Sequence, residues 1–105
     1  MAPDHLDLVH RIRALLDASA EGAGLLRNEV EPTLTEGYAR ALELEAECLR
    51  LEHRIDGLTR AIADGREIPQ GKLSGLLKRL HDTEQQAEDL RALLAPLREL
   101  VAKAA

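Results

Sequence analysis

The sequence is nearly devoid of aromatic residues. It contains no Trp and no Phe, and Tyr38 is the only aromatic side chain among 105 residues. Because aromatic side chains supply large buried areas in most globular cores, Leu, Ala, Ile and Val must form the core here. Hydrophobic residues make up 45% of the chain and charged residues 31%, which is typical of long helices and coiled coils. The composition therefore predicts an all-α protein.

Cysteine and long apolar segments are also scarce. Cys48 is the only cysteine, so no disulfide can form within the chain, and a reducing compartment is favoured. The sequence has no run of about 18 apolar residues, the length that crosses a bilayer. Its first residues lack the features of a signal peptide. These absences predict a cytoplasmic protein with no membrane partner. Arg exceeds Lys by 11 to 3, which is typical of a GC-rich bacterial genome.

Motifs for catalysis and for cofactor binding are missing as well. The net charge of -5 disfavours nucleic acid as a partner, because phosphate backbones require concentrated Lys and Arg. His53 has Asp56 three residues on and His81 has Gln85 four residues on, but neither pair resembles a structural zinc site, and no Gly-rich phosphate loop occurs. We therefore expect a non-enzymatic protein with no metal and no cofactor.

Two heptad seams dominate the sequence. Apolar residues spaced alternately by three and four predict two long helices, at about 34–64 and 70–103. The first seam consists of Ala41, Leu44, Cys48, Leu51, Ile55, Leu58 and Ile62. The second consists of Leu73, Leu76, Leu80, Thr83, Ala87, Leu90, Leu94, Leu97 and Val101. Thr83 is the polar member of its seam, and its hydroxyl is expected to bond to the preceding helical turn.

The segment between the two seams predicts how they pair. Asp64-Gly65 is a helix stop and Pro69 follows it, so the two helices are expected to form an antiparallel hairpin. Pairing centred on Pro69 sets Leu44 opposite Leu94. Pro96 lies within the second helix and is expected to kink it, because proline removes a backbone donor.

A shorter amphipathic helix is predicted at about 4–31. It is expected to weaken near residues 22–24, where two glycines lower helix propensity, and to end at Pro32. The segment from Thr33 to Glu36 has the capping-box pattern, which predicts that the next helix starts there. All three helices are expected to belong to a single domain, residues 1–105.

Six apolar side chains lie beside the seams at the open end of the predicted hairpin, away from the turn. Two helices cannot bury this apolar edge, so we expect the N-terminal helix to pack there and form a three-helix bundle, or a second copy of the chain to cover it. The tip of the hairpin carries less extra apolar surface. The apolar edge consists of Leu34, Tyr38, Leu42, Leu49, Leu93 and Leu100.

The apolar edge provides the main functional hypothesis. An apolar strip with charged flanks is what a groove for a partner helix requires. We therefore expect a bacterial helical-hairpin protein that acts as an adaptor, chaperone or regulator. Its partners would be a helix of another protein or a second copy of itself, so self-association is also expected.

The alternative is a ligand-sensing regulatory module. Arg54-Ile55-Asp56, with Gln85 and Asp89 on the other arm, resembles part of the Glu-x3-Ser-x2-Arg-x3-Gln-x3-Asp motif of actinobacterial hairpin anti-sigma factors. That resemblance implies binding of cyclic di-GMP. Other motif positions differ from the family and hold Glu45, Cys48, Glu52, Lys78 and His81. An anionic small molecule or nucleotide would be held by Arg50, Arg54, Arg79 and Arg91.

Overall fold

The protein consists of three helices. The computed structural model describes residues 3–104, and their side chains from His5 onward. The helices are α1 (Pro3–Ala20), α2 (Arg27–Ala63) and α3 (Lys72–Lys103). Of the described residues 85% are helical, and no strand occurs among them. The prediction of an all-α protein built on a helical hairpin is confirmed.

Glycines in the left-handed conformation end the first two helices. Gly65, with φ of 81°, follows α2 at the predicted stop. The Arg66 N–H donates to the Ala61 carbonyl at 2.9 Å, and the Gly65 N–H donates to the Ile62 carbonyl at 3.0 Å. This pair of bonds is a Schellman cap, which satisfies carbonyls that the helix leaves open. Gly22, with φ of 91°, follows α1 in the same manner.

The boundary between α1 and α2 lies earlier than the sequence pattern predicts. Residues 4–31 were expected to form a helix that weakens near residues 22–24; in the structure α1 ends at Ala20 and α2 already begins at Arg27. Pro32 lies inside α2 rather than ending a helix. A proline inside a helix costs about 3 kcal/mol. Complete burial of Val30, one turn before Leu34, offsets that cost and holds the first turn of α2 in place.

The chain divides into two compact units. Unit 1 consists of Met1–Leu42 and Glu88–Ala105, and unit 2 consists of Glu43–Ala87. In unit 1, α1 packs against the first part of α2 and the last part of α3, so the expected three-helix arrangement is present. Its buried apolar core includes Leu8, Ile12, Val30, Leu34, Ala41, Leu90, Leu94 and Leu97.

Polar contacts fix the direction of α1 in unit 1. Arg11 forms an ion pair with Glu36. Arg40 donates a hydrogen bond from Nε to Nδ1 of His5 at 3.1 Å. Because the earlier residue of α1 contacts the later residue of α2, the two helices are antiparallel.

Unit 2 is a two-helix hairpin with a thinner core. Its seam is buried at Leu44, Leu51, Leu76, Thr83 and Ala87, whereas Ile55, Leu58, Leu73 and Leu80 remain half-buried. The Thr83 hydroxyl donates to the Arg79 carbonyl at 2.8 Å, as predicted. Two helices alone leave part of a heptad seam in contact with solvent, which explains the half-buried positions.

The register of the hairpin differs from the predicted one. The Leu94 side chain lies against the Gly37 backbone, one heptad before the expected partner Leu44. In unit 2, Arg79 contacts Glu47 across the hairpin. A shift by one heptad still sets every seam residue opposite another seam residue, so the apolar pattern alone does not distinguish the two registers. The observed register leaves Ile62 47% exposed at the end of α2.

Candidate functional site

The structure divides the predicted apolar edge between different environments. In unit 1, Leu34 is only 8% exposed and belongs to the core. Tyr38 is half-buried, while Leu42 is 62% exposed. Leu93 and Leu100 are half-buried. The remaining member, Leu49, belongs to unit 2 and is 59% exposed.

Helical geometry explains how the edge is split within unit 1. α1 contacts α2 through Arg40, and Tyr38 lies two residues earlier. Residues two apart in an α-helix point about 200° apart, so Tyr38 lies on the side of α2 away from α1. Leu42 follows Tyr38 by four residues and shares that side. α2 therefore presents Leu42 to solvent on a side that α1 does not cover.

α3 shows the same division. Arg91 places its guanidinium over the Tyr38 ring, 5.7 Å from the ring centroid, which is a cation–π contact. Leu93 follows Arg91 by two residues, so its side chain points to the opposite side of α3, and Leu100 shares that direction. Leu93 and Leu100 are thus on the side where α1 packs. Within unit 1, the structure therefore does not bring the members of the apolar edge together on one surface.

A buried histidine lies at the contact of α1 with α2. His5 is only 6% exposed, and its Nδ1 accepts the hydrogen bond from Arg40. Burial, followed by the positive charge of Arg40, lowers the pKa of His5 below its ordinary value. Protonation would remove the acceptor at Nδ1 and place two positive charges side by side. Neutral His5 therefore favours the packing of α1 against α2.

We predict that the stability of the protein falls as the pH drops through the His5 titration. In the unfolded chain His5 binds its proton at about pH 6.5, and in the folded protein only at lower pH. The unfolded state therefore binds more protons below about pH 6.5, which lowers the free energy of unfolding. Urea denaturation between about pH 7.5 and 5.5 measures the effect, which we expect to be smaller in His5→Gln. The exposed His53→Gln variant is the control, and equal pH slopes in all three proteins would contradict the prediction.

In unit 2, arginines gather on one side of the hairpin. Glu47 accepts hydrogen bonds from Arg50 at 2.8 Å and from Arg79 at 3.1 Å. The Arg50 hydrogen bond and the charges of Arg50, Arg79 and Arg54 lower the pKa of Glu47. The fourth arginine of the predicted ligand cluster, Arg91, stacks on Tyr38 in unit 1. A carboxylate thus already lies near the three arginines of unit 2 and offsets part of their positive charge.

Acidic residues gather on the other side of unit 2. Glu45 and Leu49 each lie two residues from Glu47, and Leu77 lies two residues from Arg79, so these side chains point away from the ion pairs. Leu77 is 48% exposed. We name this side of unit 2 the acidic face; it consists of Leu49 and Leu77 with Glu45, Glu52, Asp56 and Glu84.

The thiol of Cys48 lies near several carboxylates. Burial raises the pKa of Cys48 most, and the charges of Glu84, Glu52, Glu47 and Glu45 raise it further. A thiol with a raised pKa stays protonated near neutral pH and reacts slowly as a nucleophile. The residue acts as a half-buried seam member, as its heptad position predicts.

An open groove lies at the start of α2 in unit 1. It has a volume of about 780 Å³ and is lined by Leu26, Arg27, Asn28, Glu31, Pro32 and Thr35. These side chains come from one helix and its preceding residue, and the lining includes one basic and one acidic residue. Arg27 and Glu31 are its charged side chains, and the groove is open to solvent rather than an enclosed cavity.

No protein-family model, curated protein or solved structure matches this chain. Function must therefore be inferred from the surfaces described above. Among residues 3–104, no helix is long and apolar enough to cross a membrane. The same part of the chain contains no group of three His, Cys, Asp or Glu side chains arranged to hold a metal ion.

Proposed function

We propose that the protein is a non-enzymatic helical-hairpin interaction protein, of the adaptor, chaperone or regulator type, that binds a helix of another protein. The observation that carries the proposal is the exposure of Leu42. This side chain is 62% exposed on the side of α2 away from α1, although the neighbouring Ala41 and Leu44 are fully or almost fully buried. Self-association of the chain stays a prediction.

The energetics of apolar burial support this role for Leu42. Burying a leucine side chain contributes about 1.5–3 kcal/mol relative to leaving it exposed. α1 already covers the other side of unit 1, so Leu42 gains this energy only against another molecule. Tyr38 and Ala39 lie one turn before Leu42 on the same side of α2. Together the three side chains form a short apolar strip, which matches the spacing of anchor positions in helix recognition.

Affinity capture from a lysate of the source organism tests the proposal. We expect the chain to retain a protein partner, and Leu42→Glu to lower the retained amount about tenfold, because a charge would enter the apolar contact. The purified partner is then titrated against both proteins to measure the dissociation constants.

The matched control is Leu6→Glu. Leu6 lies on α1 of the same unit and is 50% exposed, so the chemical change and the environment are similar. We expect Leu6→Glu to retain the partner. Circular dichroism confirms that both variants remain helical. A partner that binds wild type and Leu42→Glu with equal affinity would refute the proposed role of Leu42, and the absence of any specific partner would refute the function.

A further inference from the structure

Unit 2 carries two exposed leucines on a surface that the proposed function does not yet use. Leu49 on α2 is 59% exposed and Leu77 on α3 is 48% exposed. Neither is a seam position, and each exposes about half or more of its side chain. Both point away from the Glu47–Arg79 ion pair, which places them on the acidic face.

Among the helical neighbours of these leucines, the charged side chains are the carboxylates of Glu45 and Glu52. The positions three and four residues from Leu49 hold Glu45, Ala46, Glu52 and His53. The corresponding positions around Leu77 hold Leu73, Ser74, Leu80 and His81. Residues three and four apart in a helix are neighbours on its surface, so these eight positions surround the two leucines. None of these positions holds Lys or Arg, whereas the opposite side of unit 2 places Arg50, Arg54 and Arg79 around Glu47.

We propose that the acidic face of unit 2 binds a basic amphipathic helix of a partner protein. Leu49 and Leu77 contact the apolar side of that helix, and the carboxylates of Glu52, Asp56 and Glu84 pair with its Lys and Arg residues. Apolar anchors give affinity in helix recognition, and complementary charges select the partner and its orientation. This inference deepens the proposed function, since it specifies the chemistry of the partner.

Charge excludes the other occupants of this surface. A second copy docked face to face would set the same carboxylates against one another, which is repulsive. Anionic phospholipids and nucleic-acid phosphates are repelled by the same groups. A basic helix is the occupant that both buries the leucines and neutralises the carboxylates.

Synthetic helical peptides provide a direct test. The probe is a fluorescent amphipathic peptide of Leu and Lys, about 18 residues long, so that it spans five helical turns. Two comparison peptides replace every Lys by Glu or every Leu by Ser. Fluorescence anisotropy at physiological ionic strength measures the affinities. We expect the Leu/Lys peptide to bind and both comparison peptides to bind at least about tenfold more weakly, because each lacks one of the two interactions.

Variants of the full chain locate the binding site. Leu77→Glu and Glu84→Arg are each expected to lower the affinity for the Leu/Lys peptide about tenfold. Their matched controls lie in unit 1: Leu26→Glu, at a leucine that is also 48% exposed, and Glu31→Arg, at an exposed carboxylate. Both controls are expected to change the affinity less than about twofold, since they make the same chemical change elsewhere.

The results separate this inference from the proposed function. Equal binding of the Leu/Lys peptide and the Ser-containing peptide, or equal losses in the variants and their controls, would overturn the inference. A captured partner that depends on Leu42 but not on Leu77 or Glu84 would also overturn it, while the proposed function would stand. If no specific partner is captured, the proposed function fails. The affinities of the protein variants for the Leu/Lys peptide then test the inference by themselves.

Discussion

Replacing Leu94 by alanine is expected to lower the free energy of unfolding by about 2–5 kcal/mol. The Leu94 side chain has no exposed surface and lies against Gly37 in the core of unit 1. Truncation removes buried methyl groups and leaves a cavity that the surrounding helices cannot fully close. Urea denaturation followed by circular dichroism measures the change.

The control for this prediction is Leu77→Ala. Leu77 is 48% exposed, so the same truncation leaves no enclosed cavity, and we expect a loss of at most about 1 kcal/mol. Equal losses at Leu94 and Leu77 would show that Leu94 is not part of a tightly packed core.

Gly37→Ala and Gly57→Ala are expected to change the free energy of unfolding differently, although both glycines lie inside α2. A Cβ at Gly57 meets no atom within 4 Å, so Gly57→Ala should stabilise the helix by about 1 kcal/mol. A Cβ at Gly37 would overlap the buried Leu94 side chain. Overpacking costs about 1–3 kcal/mol, and we therefore expect Gly37→Ala to be less stable than Gly57→Ala by that amount.

The double variant Gly37→Ala/Leu94→Ala identifies the cause of the difference. Shortening Leu94 creates room for the new methyl group, so Gly37→Ala should cost less in that background than in the wild-type chain. Contacting residues typically show coupling energies of about 0.5–3 kcal/mol in such a cycle. Strict additivity of the two changes would show that Gly37 and Leu94 are not in contact.

The helices themselves follow from the sequence. Heptad spacing predicts the seams, and Leu90, Leu94 and Leu97 are at most 1% exposed in unit 1. Asp64-Gly65 predicts the end of α2, because glycine adopts the left-handed conformation of a Schellman cap without steric cost. These features depend on residues close together in the chain, where propensity and spacing carry the information.

The hairpin register does not follow from the same pattern. Seams that repeat every seven residues pair equally well after a shift of one heptad. The information that selects the register is the small size of Gly37, which accommodates Leu94 on the facing helix. The start of α2 does not follow from the local sequence either, because the burial of Val30 on folding outweighs the helix-ending effect of Pro32.

The candidate surface could be predicted only in part. The apolar edge was defined by apolar residues beside the seams, without regard to the side on which each lies. Tyr38 follows Gly37, the next heptad position before Ala41, whereas Leu93 precedes the seam residue Leu94, and this order places them on opposite sides of the hairpin in unit 1. The sequence therefore contained the information that these two side chains lie on opposite sides. The acidic face is harder to predict, because its grouping of Leu49 with Leu77 requires the observed register.

The close approach of Leu94 to Gly37 has a consequence for how the length of the hairpin can change. Because this contact lies within unit 1, it aligns α2 and α3 in that unit and involves no residue between 43 and 87. Deleting one heptad from each arm of unit 2, or adding one, preserves the seam pattern and leaves that contact unchanged. The reach of the hairpin can thus be lengthened or shortened in steps of about 10 Å, the rise of seven helical residues.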